Sequence, residues 1–531
     1  MSKQFYPRRT TELWLYNRVN KTTIIYSDKD LQLYDFCLND VGSFIWQHCD
    51  GMLSNYDIAR KLYNELVGEK PEFTEIQSDI KDFLNEFRSN GLVEWTINCD
   101  VLFVIPPFPA VYTKSSIKNP DYSSPPLGVA YIAAVLKENN IDVAILDMHI
   151  KALNPEDIIT YCREKAPKIV ALSATTPTFP NAVRIAKLLK AWDETVIIVI
   201  GGAHVTCLPE ECIEFDCFDY VVVGEGEFTM LELTNSLIFQ TIDLSTINGL
   251  VYKRNGVVIA KKERKQLDNL DFLPYPAREL LDINEYYQKG SIISSRGCPY
   301  HCNYCSCSVI SGNTYRVHSI DYVLKEIEYL MSNYKIEYFD FHDDNFNFYP
   351  ERVWELCKEI KKRKMKIHWS CFCRVSNFNE EIAFVMKDAG CVAIQFGIEA
   401  GNQTVLNSIK KRINLAEIEI AVTSARKADI NRICCGFIIG HAEDTEHTIE
   451  ETIDFGIKLA TLGATDLTIS LLTPLPGTEI YNNLGKNGII LLTKDWEQFI
   501  FSKVVIETKN VTKERLRELY VKGINLFCNK K

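Results

Sequence analysis

Between residues 98 and 235, short runs of apolar and β-branched residues alternate with longer stretches whose apolar positions recur at helical spacing. The runs lie at 100–107 (DVLFVIPP), 142–147 (DVAILD), 168–176 (KIVALSATT), 195–202 (TVIIVIGG) and 219–227 (DYVVVGEGE). Amphipathic segments such as 127–140 and 180–192 separate them. The alternation predicts a doubly wound, Rossmann-like parallel sheet. Ligands of such sheets sit beyond the carboxyl ends of the strands, which here carry Pro106 and Pro107, Ser173 with Thr175 and Thr176, Gly201 and Gly202, and Gly224. Glycines at adjacent ends let a large flat ligand approach the backbone. The plainer reading is that they are ordinary strand-end turns.

A second run of β/α units fills 290–475, with candidate strands at 291–297, 336–344, 366–374, 392–401, 432–440 and 466–478 and helices such as 319–334 and 415–429. Six successive units predict a partial (β/α)6 TIM-type barrel, with chemistry at the carboxyl ends of its strands. Residues 1–96 differ: a β-rich start at 22–27 precedes three short helices, with an N-cap at Asn39 or Asp40 and a closing Gly91. A winged-helix-like module fits that order. The expected organisation is therefore α/β and multidomain: 1–96, 98–235, a linker at 236–290, the barrel at 291–490, and a C-terminal helical segment at 491–531.

Composition narrows the function. A chain of 531 residues with 46% hydrophobic positions has ample core for several domains, and disorder is excluded. The start, MSKQFYPRRT, lacks the apolar core of a signal peptide, and the longest apolar run, 195–202, is too short to cross a bilayer. A cytoplasmic protein without a membrane partner is expected. There the 18 cysteines stay reduced, which favours metal ligation or core packing over disulfides. A net charge of −11 speaks against a nucleic-acid partner, as do the 11 Lys and Arg against 15 Asp and Glu in residues 1–97.

The chemistry concentrates at SSRGCPYHCNYCSC, residues 294–307. Cys298, Cys302 and Cys305 follow a C-x3-C-x2-C spacing. Three thiolates on one short loop can hold three irons of a [4Fe–4S] cluster and leave the fourth open to a ligand. Zinc is the rival, but a structural zinc needs a fourth ligand and usually a second C-x2-C pair, which the sequence lacks. The spacing alone leaves both open; its place after the first barrel strand, behind Gly297 and with Tyr304 before the last cysteine, favours the cluster. Cys307, Cys371 and Cys373 read as small buried hydrophobes.

The segment GCPYHCNYC resembles the cluster loop of the radical S-adenosylmethionine enzymes. The preceding domain resembles the cobalamin-binding domain of their B12-dependent subgroup, through PPLGVAYIAAVL, GGAHVTCLPEE and DYVVVGEGE. The likeness covers about 98–480. It implies a [4Fe–4S] cluster on Cys298, Cys302 and Cys305, S-adenosylmethionine on the open iron, and cobalamin, used as methylcobalamin. Tyr304 would lie by the adenine, Asp343 and Asp344 near the methionine amino group, Arg374 at the carboxylate and Glu399 at the ribose. Cobalamin contacts would come from Gly128, Ser173, Thr175, Gly201, Gly202, His204, Gly224 and Glu225. The bland alternatives are helix N-caps for Asp343 and Glu399 and a surface ion pair for Arg374. His149 sits in a DMH triplet like the start of a cobalt-ligating D-x-H-x-x-G motif, but it follows the second strand and Ala152 stands at the glycine position. Cobalamin without a histidine below the cobalt is expected. GHAEDT at 440–445 departs from the family's Gly-Pro-Gly-Glu turn.

Residues 20–96, through LNDVGSFIWQHCDG, DIARKL and DIKDFLNEFRSNGLV, resemble the PqqD-like peptide-recognition element. That resemblance implies capture of a precursor-peptide leader by strand addition. The alternative is a structural cap with Phe44, Ile45 and Trp46 as its core. Together the resemblances imply a radical C-methyltransferase acting on an unactivated carbon of a ribosomally made peptide, with a reducing partner such as a flavodoxin or ferredoxin. A B12-containing peptide cyclase or other radical modifier is the nearest alternative. A cobalamin- or redox-responsive regulatory protein is the alternative from another class.

Overall fold

The computed structural model describes residues 6–9, 14–17, 22–25, 36–49, 55–66, 71–89, 92–96, 99–109 and 123–528. The chain forms two compact units, 1–102 with 141–144 and 156–170, and 103–140 with 145–155 and 171–531. Gly91 lies outside the described residues.

In the N-terminal region, β1 (Tyr6–Arg9) pairs antiparallel with β5 (Val93–Thr96), while β2 (Trp14–Asn17), β3 (Thr22–Ile25) and β4 (Phe36–Leu38) form an antiparallel sheet in that order. Helices follow at Asp40–Gln47, Asn55–Glu65 and Phe73–Ser89. The first starts where a carboxamide can satisfy an orphan amide: Asn39 Oδ1 accepts from Gly42 N at 2.8 Å. Ile45 and Trp46 point into a core with Ile58, Ile80, Leu84 and Phe87, and Phe44 packs half-buried against it. Three helices with a small sheet agree with the winged-helix-like expectation.

The second sheet comprises β6 (Val101–Ile105), β7 (Val143–Asp147), β8 (Ile169–Ser173), β9 (Ile197–Gly201), β10 (Tyr220–Val222), β11 (Leu250–Arg254) and β12 (Val257–Ala260), in the spatial order β12-β11-β10-β9-β8-β6-β7. A helix follows each of β6 to β10, and these five strands read 2-1-3-4-5 from the β7 edge, a doubly wound order whose switch point lies between β6 and β8. β11 and β12 extend the sheet antiparallel. The stretch expected to be a plain linker thus supplies an edge hairpin. Its turn, Asn255-Gly256, has φ of 53° and 76°, the left-handed pair that a two-residue hairpin needs.

The barrel strands are β13 (Ser291–Ile292), then, after the short antiparallel ribbon of β14 (Ser295–Arg296) and β15 (Arg316–Val317), β16 (Tyr338–Phe341), β17 (His368–Cys373), β18 (Cys391–Glu399), β19 (Arg432–Ile439) and β20 (Asp466–Leu471). All six pair parallel in the order β13-β16-β17-β18-β19-β20, an open six-stranded arc. The C-terminal segment is mixed: β21 (Ile489–Leu491) pairs with β22 (Ile506–Thr508), and one helix, Lys513–Cys528, packs on β20. Among the described residues no helix is long and apolar enough to cross a membrane.

Trp46 is wholly buried and its indole meets Phe87 at 5.6 Å between ring centroids. Trp46→Ala is expected to cost the N-terminal unit about 3–5 kcal/mol, read as an earlier denaturant transition for that unit.

Candidate functional site

Two clefts open at the carboxyl ends of the strands. The first has a cavity volume of about 290 Å³. Phe103, Ala171, Leu172, Val199, Val222 and Met230 make it apolar at depth, and Gly128, Ser173, Gly201, Gly202 and Gly224 leave backbone exposed in its wall. Two of the glycines are obligatory. Gly202 has φ 104°, and a Cβ there would lie 2.6 Å from the Ala174 carbonyl oxygen. Gly224 has φ 78°. At Gly128 and Gly224 an added Cβ would meet nothing within 4 Å, so the wall is thin there by composition and not by crowding. A bulky flat ligand with an apolar extension fits this slot.

Two residues expected at that ligand are placed elsewhere. Thr175 caps the turn after β8, accepting from Thr178, and does not line the cleft. His204 is buried 4.3 Å from Phe179 and 5.1 Å from Trp496, ring to ring, with Nδ1 3.2 Å from Thr176 Oγ1. Burial pushes its pKa down to about 4, so the ring is neutral. His149 packs edge-on against Phe108 at 4.9 Å and is also absent from the cleft lining.

The second cleft, about 280 Å³, is lined by Cys298, Cys302, Cys305, Cys307, Tyr304, Asp344, Arg374 and Glu399. The loop bearing the thiols turns at Gly297, φ 87°, and Cys298 N donates to the Gly312 carbonyl at 3.1 Å. No three His, Cys, Asp or Glu among the described residues converge closely enough for one metal ion. The three thiols instead line a cavity, an arrangement suited to a multi-iron cluster and not to a single zinc. Cys307 hydrogen-bonds Cys298 and holds that thiol below its ordinary pKa. Cys371 and Cys373 are buried with their sulfurs 3.5 Å apart, and Cys373 reaches the cleft wall.

Around the thiols each polar side chain is braced. The Arg374 guanidinium lies 3.7 Å from the Tyr300 ring centroid, donates to the Lys411 carbonyl, and approaches Cys302 Sγ at 3.7 Å. Its Nε is buried with no partner among the described residues, a donor available to an anionic ligand group. Glu399 ends β18 at φ 72°, beyond a register shift, and its Oε1 accepts from Lys411 Nζ at 2.7 Å. Lys411 Nζ also stands 3.3 Å from the Tyr304 hydroxyl. Gly397 makes room: a Cβ there would be 2.7 Å from the Glu399 carboxylate. Burial and the nearby Glu399 carboxylate push the Tyr304 hydroxyl well above its ordinary range.

The paired aspartates separate. Asp343 is 3% exposed and spends both oxygens on Ser294 and Ser295, accepting from two backbone N–H groups and one hydroxyl at 2.6–3.1 Å. Asp344 accepts only from Gly297 N, at 3.0 Å, and lines both clefts. Lys411, Gly397 and His342, the last in the wall of the first cleft, are site residues that the sequence reading did not select. Lys411 carries no motif signal; it is found only once the chain folds it onto Glu399.

Family models match three regions: coenzyme PQQ synthesis protein D (PqqD) at 35–93, the B12 binding domain at 116–234, and the radical SAM superfamily at 292–456. An uncharacterized methyltransferase of Pyrococcus horikoshii is 36% identical over 433 residues, spanning 80% of this chain and 92% of that protein. The chain belongs to the cobalamin-dependent radical S-adenosylmethionine enzymes. Its cofactors are a [4Fe–4S] cluster, S-adenosylmethionine and cobalamin, and its family is that of B12-dependent methyltransferases. The anaerobic magnesium-protoporphyrin IX monomethyl ester cyclase of Rubrivivax gelatinosus is 26% identical over 417 residues, 76% of this chain and 73% of that one. The fold is shared with the radical S-adenosylmethionine methyltransferase TsrM of Kitasatospora setae, whose structure holds cobalamin and a [4Fe–4S] cluster, at a TM-score of 0.62 and 20% identity over 74% of this chain and 77% of that one.

In this enzyme Gly201→Leu is expected to fold, because its Cβ meets only the Val222 carbonyl, at 3.4 Å, and the Val222 side chain. The leucine should nevertheless fill the slot and weaken cobalamin binding at least about tenfold, measured by absorbance titration against unchanged far-ultraviolet circular dichroism.

Proposed function

We propose that this enzyme transfers a methyl group to a carbon atom of a ribosomally made precursor peptide whose leader is held by residues 1–96. The observation that carries the reading is the PqqD-type unit in the same chain as the cobalamin and radical units. Among the described residues β4 pairs with β3 alone, so its other edge can accept an added peptide strand. Ile45 and Trp46 are core, so leader anchoring falls to other side chains.

Bound together, the three cofactors supply a radical able to remove a hydrogen atom and a methyl group to replace it. The chain's part is to hold and orient them. Cys298, Cys302 and Cys305 would hold the cluster; the Nε of Arg374 would meet the methionine carboxylate, Asp344 the amino group, Glu399, steadied by Lys411, the ribose, and Tyr304 the adenine. The glycine-walled cleft would receive cobalamin; His149 and His204 lie outside its lining, whereas His342 stands in its wall. The substrate carbon would enter where the two clefts share Asp344 in their lining.

A second reading is favoured by the likeness to a protein named as a cyclase: a radical modification of the peptide without methyl transfer. Mass spectrometry of the peptide after anaerobic reaction separates them. A gain of one methylene mass per event supports methylation; loss of two hydrogens supports cyclisation and overturns the proposal.

Cys298→Ala, Cys302→Ala and Cys305→Ala should each abolish 5′-deoxyadenosine formation, whereas Cys307→Ala should retain it, by chromatography of the quenched reaction. Deletion of residues 1–96 should spare peptide-independent cleavage of S-adenosylmethionine and sharply reduce modification of the full precursor. Equal modification by the truncated and intact enzymes would make this block a structural cap.

A further inference from the structure

The cluster loop is closed at its base by a ribbon of two residues on each side. In it Arg296 and Arg316 are direct cross-strand partners. Two like charges facing each other on a short ribbon repel, and nothing in so small a ladder compensates for it. The compensation comes from the turn after β10, at the mouth of the other cleft. Glu225 accepts from Arg316 through both oxygens, at 2.7 and 3.0 Å, and pairs with Arg296 at 3.3 Å; Glu227 accepts from Arg296 at 2.8 Å. The four side chains are 3–15% exposed.

The same guanidinium groups reach further. Arg316 donates to the carbonyls of Ser311, at 2.9 Å, and Leu267, at 3.1 Å, so it ties the returning arm of the loop to the stretch that follows β12. Arg296 lies 5.1 Å from the ring centroid of Tyr131, on the helix Leu127–Glu138 that starts beside Gly128. Burial alone would raise the Glu225 carboxyl, but the hydrogen bonds from Arg316 and the two positive charges outweigh it and hold it below the usual range. Glu225 thus stands in the wall of the first cleft and at the base of the cluster loop at once.

We propose that Glu225, with Arg296 and Arg316, is a positioning device that fixes the separation between the cobalamin cleft and the cluster loop. Gly224 lines the first cleft and Gly297 begins the loop of the second; the ion cluster joins the residues immediately after the one and before the other. A bidentate arginine–carboxylate pair constrains angle as well as distance, as a single hydrogen bond does not. Methyl transfer requires the two cofactors to act on one carbon, and a loosened separation lets S-adenosylmethionine be consumed without product.

The inference rests on the cluster being held by Cys298, Cys302 and Cys305, and iron content with cobalamin absorbance, read first on each sample, reports on that assignment separately. The test uses holoenzyme and needs no peptide: the magnetic coupling between cob(II)alamin and the reduced cluster, by pulsed paramagnetic resonance. The wild type should give one discrete interspin separation. Glu225→Gln, which keeps shape and removes charge, and Arg316→Gln should broaden or shift it, and Arg316→Lys should fall between. With peptide present, product formed per S-adenosylmethionine cleaved should fall at least about twofold in both Gln variants. An unchanged separation in Glu225→Gln overturns the proposal, even if activity falls. If Arg316→Gln loses its cofactors, Glu225→Gln alone decides.

Discussion

One close approach of backbone to backbone underlies the whole site. At Gly297 the chain turns with φ 87°, and a Cβ would stand 2.3 Å from the Thr314 carbonyl and 3.1 Å from those of Ser311 and Gly312. Only glycine lets the thiol-bearing loop fold back onto its own base. Asp344 then accepts from the Gly297 amide, which links the turn to the end of β16. Gly202 plays the same part in the other cleft against Ala174. Each cleft therefore begins at a residue whose lack of a side chain decides the path of the backbone, and the ligand-facing groups follow from that path.

Around those turns the enzyme keeps charge where burial makes charge costly. Arg278 and Glu326 pair at 2.7 Å with both side chains 1% exposed, and Lys411 and Glu399 pair at 2.7 Å with 7% and 11%. Replacing a buried pair by apolar residues of the same volume is often neutral or stabilising by about 1–4 kcal/mol. Stability is thus a poor reason for these pairs. Direction is a better one: the Lys411 ammonium fixes the carboxylate of Glu399, whose backbone stands at φ 72°.

Most of the architecture was legible because its signals are periodic. The alternation of short β-branched runs with amphipathic helices located β6 to β10, β13 and β16 to β20 to within a few residues at most ends, and left the ribbon of β14 and β15 unseen. What escaped was structure whose signal is local or absent. The Asn255-Gly256 pair between β11 and β12 is a strong hairpin signal, yet the flanking strands are half polar because one edge of the hairpin is open, and the stretch read as a linker. The C-terminal segment read as helical because the apolar spacing of its last helix is strong, whereas β22 is only three residues long. At the site, the cysteines were marked by their spacing, the glycines by strand ends, and Arg374 and Glu399 by the resemblance to the radical S-adenosylmethionine enzymes. Lys411 was not, since twelve residues and a helix separate it from the carboxylate it touches.

The fate of the aspartate pair shows why a strand end carries two kinds of residue. Asp343 and Asp344 lie in the loop just beyond β16, and their hydrogen bonds set them apart. Asp343 turns inward and ties down the backbone of Ser294 and Ser295, beside the first barrel strand; Asp344 turns to the clefts. Just past β17, Arg374 reaches the cysteines while Asn347, from the loop after β16, takes its backbone amide. The inward residue fixes the backbone from which the outward one extends, so the precision of a ligand-facing group in this barrel depends on a neighbour that never meets the ligand.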